Sequence, residues 1–464
     1  MLEHAPEIKM NGGMEYGVLS FEAFTGDHRL EKYILNTTWS ELPEEVQKRA
    51  VVCSIDLMMA LVLGSRGKQY QAGLRLVEMM CREGSIPIVG SDKTFSLMGA
   101  VIAMGHASNS FDIDDGHNLI RYHPGTSFIA GLMAAALEKN VTYREYLTTM
   151  VVCYETAIRE AYAMQHYYGF FHSTGSYGAM GTAAAIGRLY GMTEDELANA
   201  LSIADFNAPM VPGVHGVPKP CMNKDGVPYG AMIGALAVQD SIAGYTGNGY
   251  LLDIPFIHGL TDSLGKDYEI LNLYFKPYTC CRHAHPTIRA VTELKDKYIF
   301  TPDQVEKAEI YTYRSACELA MCVPESTDEA QYNMAYPTAC AMVNGDVGYR
   351  QVYEDYLKDE AVLDMMNKLK FIIDPVINSD FPEKRQARVV VYLKDSRVIE
   401  SDTVEPMGEV KDKVDLEWIK VKFRRITSPM FTRESQDRLF EILQTPSDIR
   451  MKEIVNAVNT SYLF

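Results

Sequence analysis

The segment from Gly105 to Gly125 places three aspartates and three histidines between two apolar segments. Its titratable acids and imidazoles are Asp112, Asp114, Asp115, His106, His117 and His123. The apolar segments, Met98–Met104 and Phe128–Leu137, have the composition of helices that pack in a protein core. Carboxylates and imidazoles beside core helices cost free energy unless each charge has a partner. The rest of the chain must therefore fold so that partners reach this segment, and such clusters are more often functional than decorative.

The spacing of apolar residues divides the chain into two parts. Helical patterns fill it up to about residue 271 and return after Pro406, whereas alternating segments between about residues 305 and 405 predict strands. One of them, Arg388–Glu400, predicts a hairpin around a polar turn. Since 464 residues exceed what one compact core holds, we expect a discontinuous all-helical domain, residues 1–271 and 406–464, interrupted by an α+β domain, residues 272–405. Residues 1–26 show no clear period and predict an extended arm.

The net charge disfavours some classes of partner. A formal charge of −17 argues against nucleic acid and against an anionic membrane surface, because both need a basic face. No apolar run reaches the roughly 20 residues of a membrane span, and the first residues lack the pattern of a secretory signal. Nine cysteines without a CxxC pair indicate reduced thiols, so we expect a cytoplasmic protein. A small anion could still bind in a local basic pocket.

Three interpretations of the Gly105–Gly125 segment stay open. In the first, a carboxylate orients an imidazole for acid–base chemistry on a small substrate. In the second, Asp112, Asp114 and Asp115 hold magnesium, as acidic helix motifs do in all-helical prenyl-transfer enzymes. In the third, Asp114 and Asp115 cap a helix or accept hydrogen bonds from main-chain amides. Zinc is disfavoured because the sequence has neither an HExxH motif nor a compact Cys/His spacing.

A second polar segment, Lys276–Pro286, lies at the predicted domain boundary, where clefts form. It carries Lys276, Cys280, Cys281, Arg282, His283 and His285. Its positive charges would suit an anionic substrate, and its adjacent cysteines suit either thiol chemistry or simple packing. The further candidates are His172 in a glycine-bounded turn, and Lys219 and Lys224 in a long loop between residues 207 and 229.

Five pieces of the chain, taken together and in this order, resemble the MmgE/PrpD family, which includes 2-methylcitrate dehydratase, cis-aconitate decarboxylase and iminodisuccinate epimerase. The pieces are Gly105–Gly125, Gly169–Gly175 with the alanine-rich run from Gly178, Gly230–Gly247, Lys276–Pro286 and Glu329–Tyr336. The resemblance extends over residues 28–460. It implies a mainly α fold, namely a large all-helical domain with an inserted α+β lid domain. It also implies a homodimer and a site between the two domains that uses neither a cofactor nor a metal.

The resemblance also implies a set of site residues. Matching to cis-aconitate decarboxylase-like members gives the catalytic residues Asp112, His123, His172 and Lys276. The substrate-binding residues are Lys219 or Lys224, Arg282, His285, Gly116 and Cys281. Gly116 stands where the decarboxylase-like pattern has threonine, and Cys281 stands where it has histidine, unless His283 or His285 takes that role. The tyrosine of that pattern, expected near residue 320, has no clear match.

The chemistry common to the family begins with a weakly acidic C–H group beside a carboxylate. Its ionisation builds negative charge that fixed cations stabilise, and we expect Lys276 and Arg282 to supply them. We expect His123 or His172 to move the proton, with Asp112 as its orienting partner. The predicted function is a cofactor-free lyase or isomerase of a small di- or tricarboxylate, with 2-methylcitrate dehydratase-like activity slightly preferred. Iminodisuccinate epimerase-like and cis-aconitate decarboxylase-like activities are the alternatives within the family.

Two functions from other classes stay open as well. A non-catalytic family member would bind a carboxylate without turning it over. A magnesium-dependent enzyme acting on a diphosphate would use Asp112, Asp114 and Asp115 as ligands.

Overall fold

The computed structural model describes residues 24–80, 83–213 and 218–463. Most of the predicted N-terminal arm lies outside these ranges. The described chain is mainly α-helical, as predicted. Its first helices are α1 (Arg29–Asn36), α2 (Glu44–Gly64), α3 (Lys68–Met80), α4 (Leu97–Ser108), α5 (Pro124–Lys139), α6 (Tyr143–Tyr168), α7 (Thr174–Tyr190), α8 (Glu194–Asn207) and α9 (Val227–Ile242). The short strands between them are β1 (Ile86–Pro87), β2 (Thr94–Phe95) and β3 (Gly116–His117).

Helix α7 lies at the centre of this helical bundle, packed against α5, α6, α8 and α9. Its sequence is rich in glycine and alanine, which lets neighbouring helices approach closely. A Cβ atom on Gly234 of α9 would lie 2.3 Å from the main-chain oxygen of Ala179, and one on Gly178 would lie 2.7 Å from that of Ser127. Larger side chains at these glycines would therefore push α5, α7 and α9 apart.

The second part of the chain mixes helices and strands. Its helices are α10 (His285–Lys297), α11 (Arg314–Cys317), α12 (Thr327–Gln331), α13 (Ala335–Asn344), α14 (Tyr349–Val352), α15 (Glu360–Met366) and α16 (Pro375–Ser379). Its strands are β4 (Leu273–Tyr274), β5 (Val305–Thr312), β6 (Leu369–Ile373), β7 (Ala387–Leu393) and β8 (Val398–Glu400).

Four of these strands form one sheet in the order β6-β5-β7-β8. Strand β5 pairs parallel with β6 and antiparallel with β7, where Ile310 lies opposite Val389. Strands β7 and β8 pair antiparallel, so the hairpin predicted over Arg388–Glu400 is present. Helix α10 packs against β7 and covers part of the sheet.

The last helices return to the helical bundle. They are α17 (Leu416–Thr427), α18 (Arg433–Leu443) and α19 (Met451–Asn459). Helix α17 packs against α2, and α19 contacts α5. The buried Lys422 of α17 pairs with Asp56 of α2 and donates to the main-chain oxygen of Ile113 at 2.7 Å. The C-terminal helices therefore help to fix the loop after α4, while the predicted domain boundaries at residues 271 and 406 stay predictions.

Strands β3 and β4 join the two polar segments that the sequence singled out. They pair antiparallel, with Gly116 opposite Tyr274 and His117 opposite Leu273. This pairing places the loop before α5 beside the start of the Lys276–Pro286 segment, although the two are far apart in sequence.

In the part of the chain that the structure describes, no single helix is both long and apolar enough to cross a membrane. One pair, Glu44–Gly64 with Lys68–Met80, passes that test on length and composition, and its helices meet at 78°.

Candidate active site

Asp112 and Lys276 form a buried ion pair. The Nζ atom of Lys276 lies 2.7 Å from Asp112 Oδ1 and donates to the main-chain oxygen of Asp112 at 2.9 Å. Each side chain is 2% exposed. Asp112 has a φ of +53°, in the left-handed region that short polar residues adopt more readily than most. In this conformation the carboxylate and the carbonyl of one residue both reach the same ammonium group.

His123 lies among three carboxyl groups. Its Nδ1 atom donates to Asp114 Oδ2 at 2.8 Å. Its Nε2 atom lies 3.2 Å from Asp112 Oδ1 and 3.7 Å from Asp225 Oδ2. The bond to Asp114 fixes the orientation of the ring, so Nε2 is the nitrogen that faces the other two acids.

The charges of this cluster shift the pKa values of its members. Burial favours the neutral acid, but the charge and hydrogen bond of His123 outweigh it and lower the pKa of Asp114 to about 2. Burial also disfavours the imidazolium, yet the charges of Asp114 and Asp112 outweigh it and raise the pKa of His123. For Asp225 burial prevails over the charge of His123, and the pKa is raised. The cluster therefore holds an imidazolium beside a carboxyl group that binds its proton more readily than an ordinary aspartate.

Asp115 has different partners from Asp112 and Asp114. The main-chain amide of Gly125 donates to its Oδ1 at 3.0 Å, and the hydroxyl of Tyr154 donates to its Oδ2. Burial and the charge of Asp114 raise the pKa of Asp115 to about 7. Asp115 thus joins the loop to the first turn of α5, as the structural interpretation of the segment expects.

A metal ion could be held by Asp112, Asp114 and His123, whose donor atoms lie within 4.8 Å of one another. The charges around them fit a metal less well. The ammonium of Lys276 already lies 2.7 Å from Asp112, and Nδ1 of His123 lies 2.8 Å from Asp114. Magnesium also prefers oxygen ligands to imidazole. The arrangement therefore fits acid–base chemistry better than the magnesium interpretation.

The two lysines of the long loop have different surroundings. Lys224 Nζ donates to the main-chain oxygens of Asn109 at 2.9 Å and Ser110 at 2.6 Å, and to Gln331 Oε1 at 2.7 Å. Its ammonium group therefore fixes the chain between α4 and Asp112. Lys219 is exposed to solvent. Substrate binding by either lysine stays a prediction.

His172 is buried in the turn before α7. Its ring stacks on Phe170 with centroids 4.0 Å apart, and its backbone pairs with Pro212. Burial lowers the pKa of His172 to about 4, so the imidazole is neutral near pH 7. Among the described residues neither ring nitrogen has a hydrogen-bond partner. The turn that carries His172 contacts the cluster through Thr174, whose Oγ1 atom accepts a hydrogen bond from the His123 amide at 3.5 Å. A catalytic role for His172 stays a prediction.

Arg282 and His285 are held by protein groups. The Arg282 guanidinium donates to Asn118 Oδ1 at 2.7 Å, pairs with Glu409 and lies 3.5 Å from the ring centroid of Tyr274. Nε2 of His285 donates to a main-chain oxygen at 2.9 Å, and burial lowers the pKa of the ring. Arg282 is thus neutralised by Glu409, and His285 is a neutral residue at the start of α10. Substrate binding by these two residues stays a prediction.

The resemblance places Cys281 and Gly116 at the histidine and the threonine of the decarboxylase-like pattern, with His283 or His285 as alternatives for the histidine. Burial raises the pKa of Cys281 to about 11, so this partly exposed side chain is a neutral thiol near pH 7. At Gly116 a Cβ atom would lie 2.2 Å from the ring of Tyr274. His283, another candidate for the histidine role, is hydrogen-bonded through Nδ1 to the Tyr313 hydroxyl at 2.7 Å.

Sequence reasoning missed three residues of the cluster. Asn109 Nδ2 donates to Asp114 Oδ1 at 3.0 Å, and Thr126 Oγ1 donates to Asp114 Oδ2 at 3.2 Å. Asp225 lies near Nε2 of His123, and the only signal for it was its position beside Lys224 in the long loop. A polar residue in a loop carries no periodicity that would show which way it folds.

Tyr332 is a further residue that the sequence did not single out. Burial and the charges of Asp225 and Asp112 raise the pKa of Tyr332. It belongs to the Glu329–Tyr336 piece of the resemblance, while the tyrosine expected near residue 320 stays unmatched.

Comparison with known proteins gives a consistent result. The family model of the MmgE/PrpD N-terminal domain matches residues 28–265, and that of the MmgE/PrpD C-terminal domain matches residues 278–446. The cis-aconitate decarboxylase-like protein oryM of Aspergillus oryzae (strain ATCC 42149 / RIB 40) is 24% identical, over 88% of this chain and 92% of its own length. Cis-aconitate decarboxylase of Aspergillus terreus is 22% identical, over 88% of this chain and 90% of its own length.

The two family models follow one another along the chain and together span most of it. The resemblance drawn from the five motif pieces is thereby confirmed. The names of the relatives are those of lyases, which supports a lyase-type function at the level of the family. The chain belongs to the MmgE/PrpD family.

Proposed function

We propose that this protein is a cofactor-free lyase or isomerase that removes a proton next to a carboxylate of a small di- or tricarboxylate, with dehydration as the preferred reaction. The observation that carries the proposal is the position of His123. Its Nε2 atom lies 3.7 Å from Asp225 Oδ2 and 3.2 Å from Asp112 Oδ1, and Asp112 in turn pairs with Lys276. An acid, a base and a fixed cation are the three groups that this reaction needs.

Asp225 is the base in this proposal, and His123 is the acid. A raised pKa makes the ionised carboxylate of Asp225 a better proton acceptor than an ordinary aspartate. His123 holds its proton more firmly than an ordinary histidine and donates it from Nε2. In a dehydration, Asp225 takes the C–H proton and the C–H electron pair forms the double bond. The hydroxyl leaves as water with the proton from His123, and exchange with solvent restores both side chains.

Lys276 stabilises the negative charge that develops on the substrate carboxylate. Burial alone would lower its pKa, but the charges of Asp112 and Asp114 outweigh burial and raise the pKa above its ordinary value. The ammonium therefore stays charged throughout the neutral range. One preorganised donor of this kind contributes about 3 kcal/mol to transition-state stabilisation.

Decarboxylation is the second candidate, because the names of the A. oryzae and A. terreus relatives point to it. Dehydration is preferred for two reasons. It needs an acid for a leaving hydroxyl, which a protonated His123 supplies, and Gly116 and Cys281 lack the hydroxyl and the imidazole of the decarboxylase-like pattern. Epimerisation is the third candidate, in which a proton returns to the opposite face of the carbon.

Proton exchange in heavy water tests the proposal. The protein is incubated with 2-methylcitrate, citrate, cis-aconitate or iminodisuccinate, and NMR follows deuterium uptake and product formation. We expect exchange with at least one acid, lost in His123→Asn and Asp225→Asn. The matched control His258→Asn should keep it, because His258 is hydrogen-bonded to Asp27 instead.

The products separate the candidate reactions. An unsaturated acid with loss of water indicates a dehydratase, carbon dioxide a decarboxylase, and inversion an epimerase. A thermal shift without exchange would favour the non-catalytic binding protein. No exchange, no turnover and no thermal shift with all four acids would overturn the proposal.

The homodimer and the cytoplasmic location stay predictions. We propose that a second copy binds at exposed apolar side chains of α8 and α9, two helices that pack against each other. Among them are Phe206, Leu236 and Ile242, exposed to 74%, 44% and 59%. Light scattering coupled to size-exclusion chromatography measures the mass, and a monomer at all concentrations would contradict the homodimer.

A further inference from the structure

Two arginines near the proposed reaction centre have no carboxylate partner. Within residues 24–80, 83–213 and 218–463, Arg282 pairs with Glu409, whereas Arg121 and Arg385 form no ion pair. Each of these two lies near an aromatic ring. The guanidinium carbon of Arg121 is 3.9 Å from the centroid of Phe171. A ring that contacts the face of a guanidinium leaves the N–H edge free, so such a side chain is oriented without being neutralised.

Arg385 lies at one end of a row of side chains that continues through Phe381 and Tyr313 to His283. Its guanidinium carbon lies 5.7 Å from the centroid of Phe381. Phe381 stacks on Tyr313 with centroids 4.5 Å apart, and the Tyr313 hydroxyl is hydrogen-bonded to His283 Nδ1 at 2.7 Å. This row of side chains therefore connects Arg385 to the Lys276–Pro286 segment, which also carries Cys281.

The positive charges of three arginines act together on His283. Burial, followed by the charges of Arg385, Arg282 and Arg121, lowers the pKa of His283 to about 3. Burial and the charge of Arg282 likewise lower the pKa of Arg385. The surroundings of His283 therefore carry more positive charge than the described residues neutralise, and a bound anion would offset the excess.

The loop that carries Arg121 connects the surroundings of His283 to the reaction centre. Arg282, the residue before His283, donates to Asn118 Oδ1 at 2.7 Å, and Asn118 lies three residues before Arg121. Arg121 is also two residues from His123, on the loop that leads into α5. This loop and the row of side chains therefore connect Arg121 and Arg385 to His123, the proposed acid.

We propose that Arg121 and Arg385 together bind the substrate carboxylate that is remote from the reacting carbon. The proposal rests on the proposed function and assigns a binding site to the second carboxylate of its substrate, held away from Lys276. The N–H edge of a guanidinium binds a carboxylate through two parallel hydrogen bonds. Arg121 lies in the part matched by the N-terminal family model and Arg385 in the part matched by the C-terminal one. A bound substrate would thus bridge the two parts.

Calorimetry tests the arginines without turnover. The probe is propane-1,2,3-tricarboxylate, which has no hydroxyl to lose. We expect Arg121→Gln and Arg385→Gln to weaken its Kd by about 10-fold to 100-fold, the effect of losing a hydrogen bond to a charged group. Arg385→Lys should fall between Arg385→Gln and the wild type. The control Arg388→Gln should bind like the wild type, because Arg388 pairs with Glu400 on the neighbouring strand.

Kinetics give a second readout on whichever acid the exchange experiment identifies. Both glutamine variants should raise KM by a factor similar to that in Kd and change kcat by less than about threefold, because the arginines bind ground state and transition state alike. Circular dichroism and melting temperatures check that each variant folds. Where Arg385→Gln does not fold, weaker binding by the charge-keeping Arg385→Lys variant serves in its place.

The two proposals fail separately. Turnover by the wild type, with Kd and KM unchanged in the arginine variants, would overturn the role of the arginines and leave the proposed function intact. Arginine-dependent binding by a protein that turns over none of the acids would support the arginine site and overturn the catalytic proposal. A wild-type protein that does not bind the tricarboxylate would overturn the arginine site.

Discussion

Lys276 binds Asp112 twice, through the carboxylate at 2.7 Å and through the main-chain oxygen at 2.9 Å. Asp112 in turn lies 3.2 Å from Nε2 of His123. One lysine therefore contacts both the main chain and the carboxylate of the residue that faces the imidazole. The arrangement ties catalysis to stability, because removing the ammonium leaves a buried carboxylate without its counter-charge.

Replacing Lys276 by methionine should reduce activity and stability together. Removing one partner of a buried ion pair costs about 3–5 kcal/mol of unfolding free energy. We expect catalytic efficiency to fall by at least about 100-fold, the effect of losing a preorganised charge donor. The double variant Asp112→Asn/Lys276→Met should recover the melting temperature but not the activity. Kinetics and thermal melts of both variants and the wild type check this, and a fully active Lys276→Met protein would contradict the assigned role.

The acid role of His123 predicts how the rate depends on pH. Its pKa is raised from the ordinary value of 6.5, so the active imidazolium persists to higher pH than that of an ordinary histidine. The rate should fall as pH rises through the raised pKa of the folded protein. The free energy of unfolding should also fall as pH rises. The contribution of His123 to it is fully present below the pKa of His123 in the unfolded chain and is lost as pH rises through the pKa in the folded protein. His123→Asn should remove that loss.

Two measurements check this dependence. A pH–rate profile locates the alkaline limb, and denaturant unfolding of the wild type and His123→Asn at several pH values gives the stability difference. A rate that rises through the same range would make neutral His123 the base instead of the acid.

The sequence predicted which charged segments come together in the candidate site, because charges in an apolar setting stand out. Asp112, His123 and Lys276 were predicted to work together, and β3 and β4 do bring their segments together. The neutralisation of Arg282 was not predictable, since its partner Glu409 lies 127 positions away. Asp225 was missed for a similar reason, because only tertiary packing decides which polar residue of a long loop faces the core.

The sequence also predicted the helices and the hairpin of the fold, but not which distant strands pair. Apolar periodicity reports which face of a segment is buried, and it predicted the mainly helical chain and the β7–β8 hairpin. It does not report which strands pair. The parallel pairing of β5 with β6 joins segments far apart in sequence, and no local pattern specifies such a partner.

Introducing threonine at Gly116 tests whether the decarboxylase-like pattern fits this site. A Cβ atom there would lie 2.2 Å from the ring of Tyr274, which itself contacts the guanidinium of Arg282. Overpacking of this kind costs about 1–3 kcal/mol. We expect Gly116→Thr to lower the melting temperature, and Gly116→Thr/Tyr274→Ala to recover part of the loss. A stable Gly116→Thr protein that decarboxylates cis-aconitate faster than the wild type would instead show a site close to that of the decarboxylases.

Chelation separates the acid–base interpretation from the magnesium one. If the ammonium of Lys276 supplies the positive charge beside Asp112, dialysis against EDTA should leave the rate unchanged, and added magnesium should not raise it. Lys276→Met is the informative control. Without the ammonium, the three donor groups within 4.8 Å of one another become a better cation site, so magnesium should raise the melting temperature of this variant alone. Rates before and after EDTA, with thermal melts in magnesium, check both statements. Wild-type activity that EDTA removes and magnesium restores would replace the acid–base mechanism by a metal-dependent one.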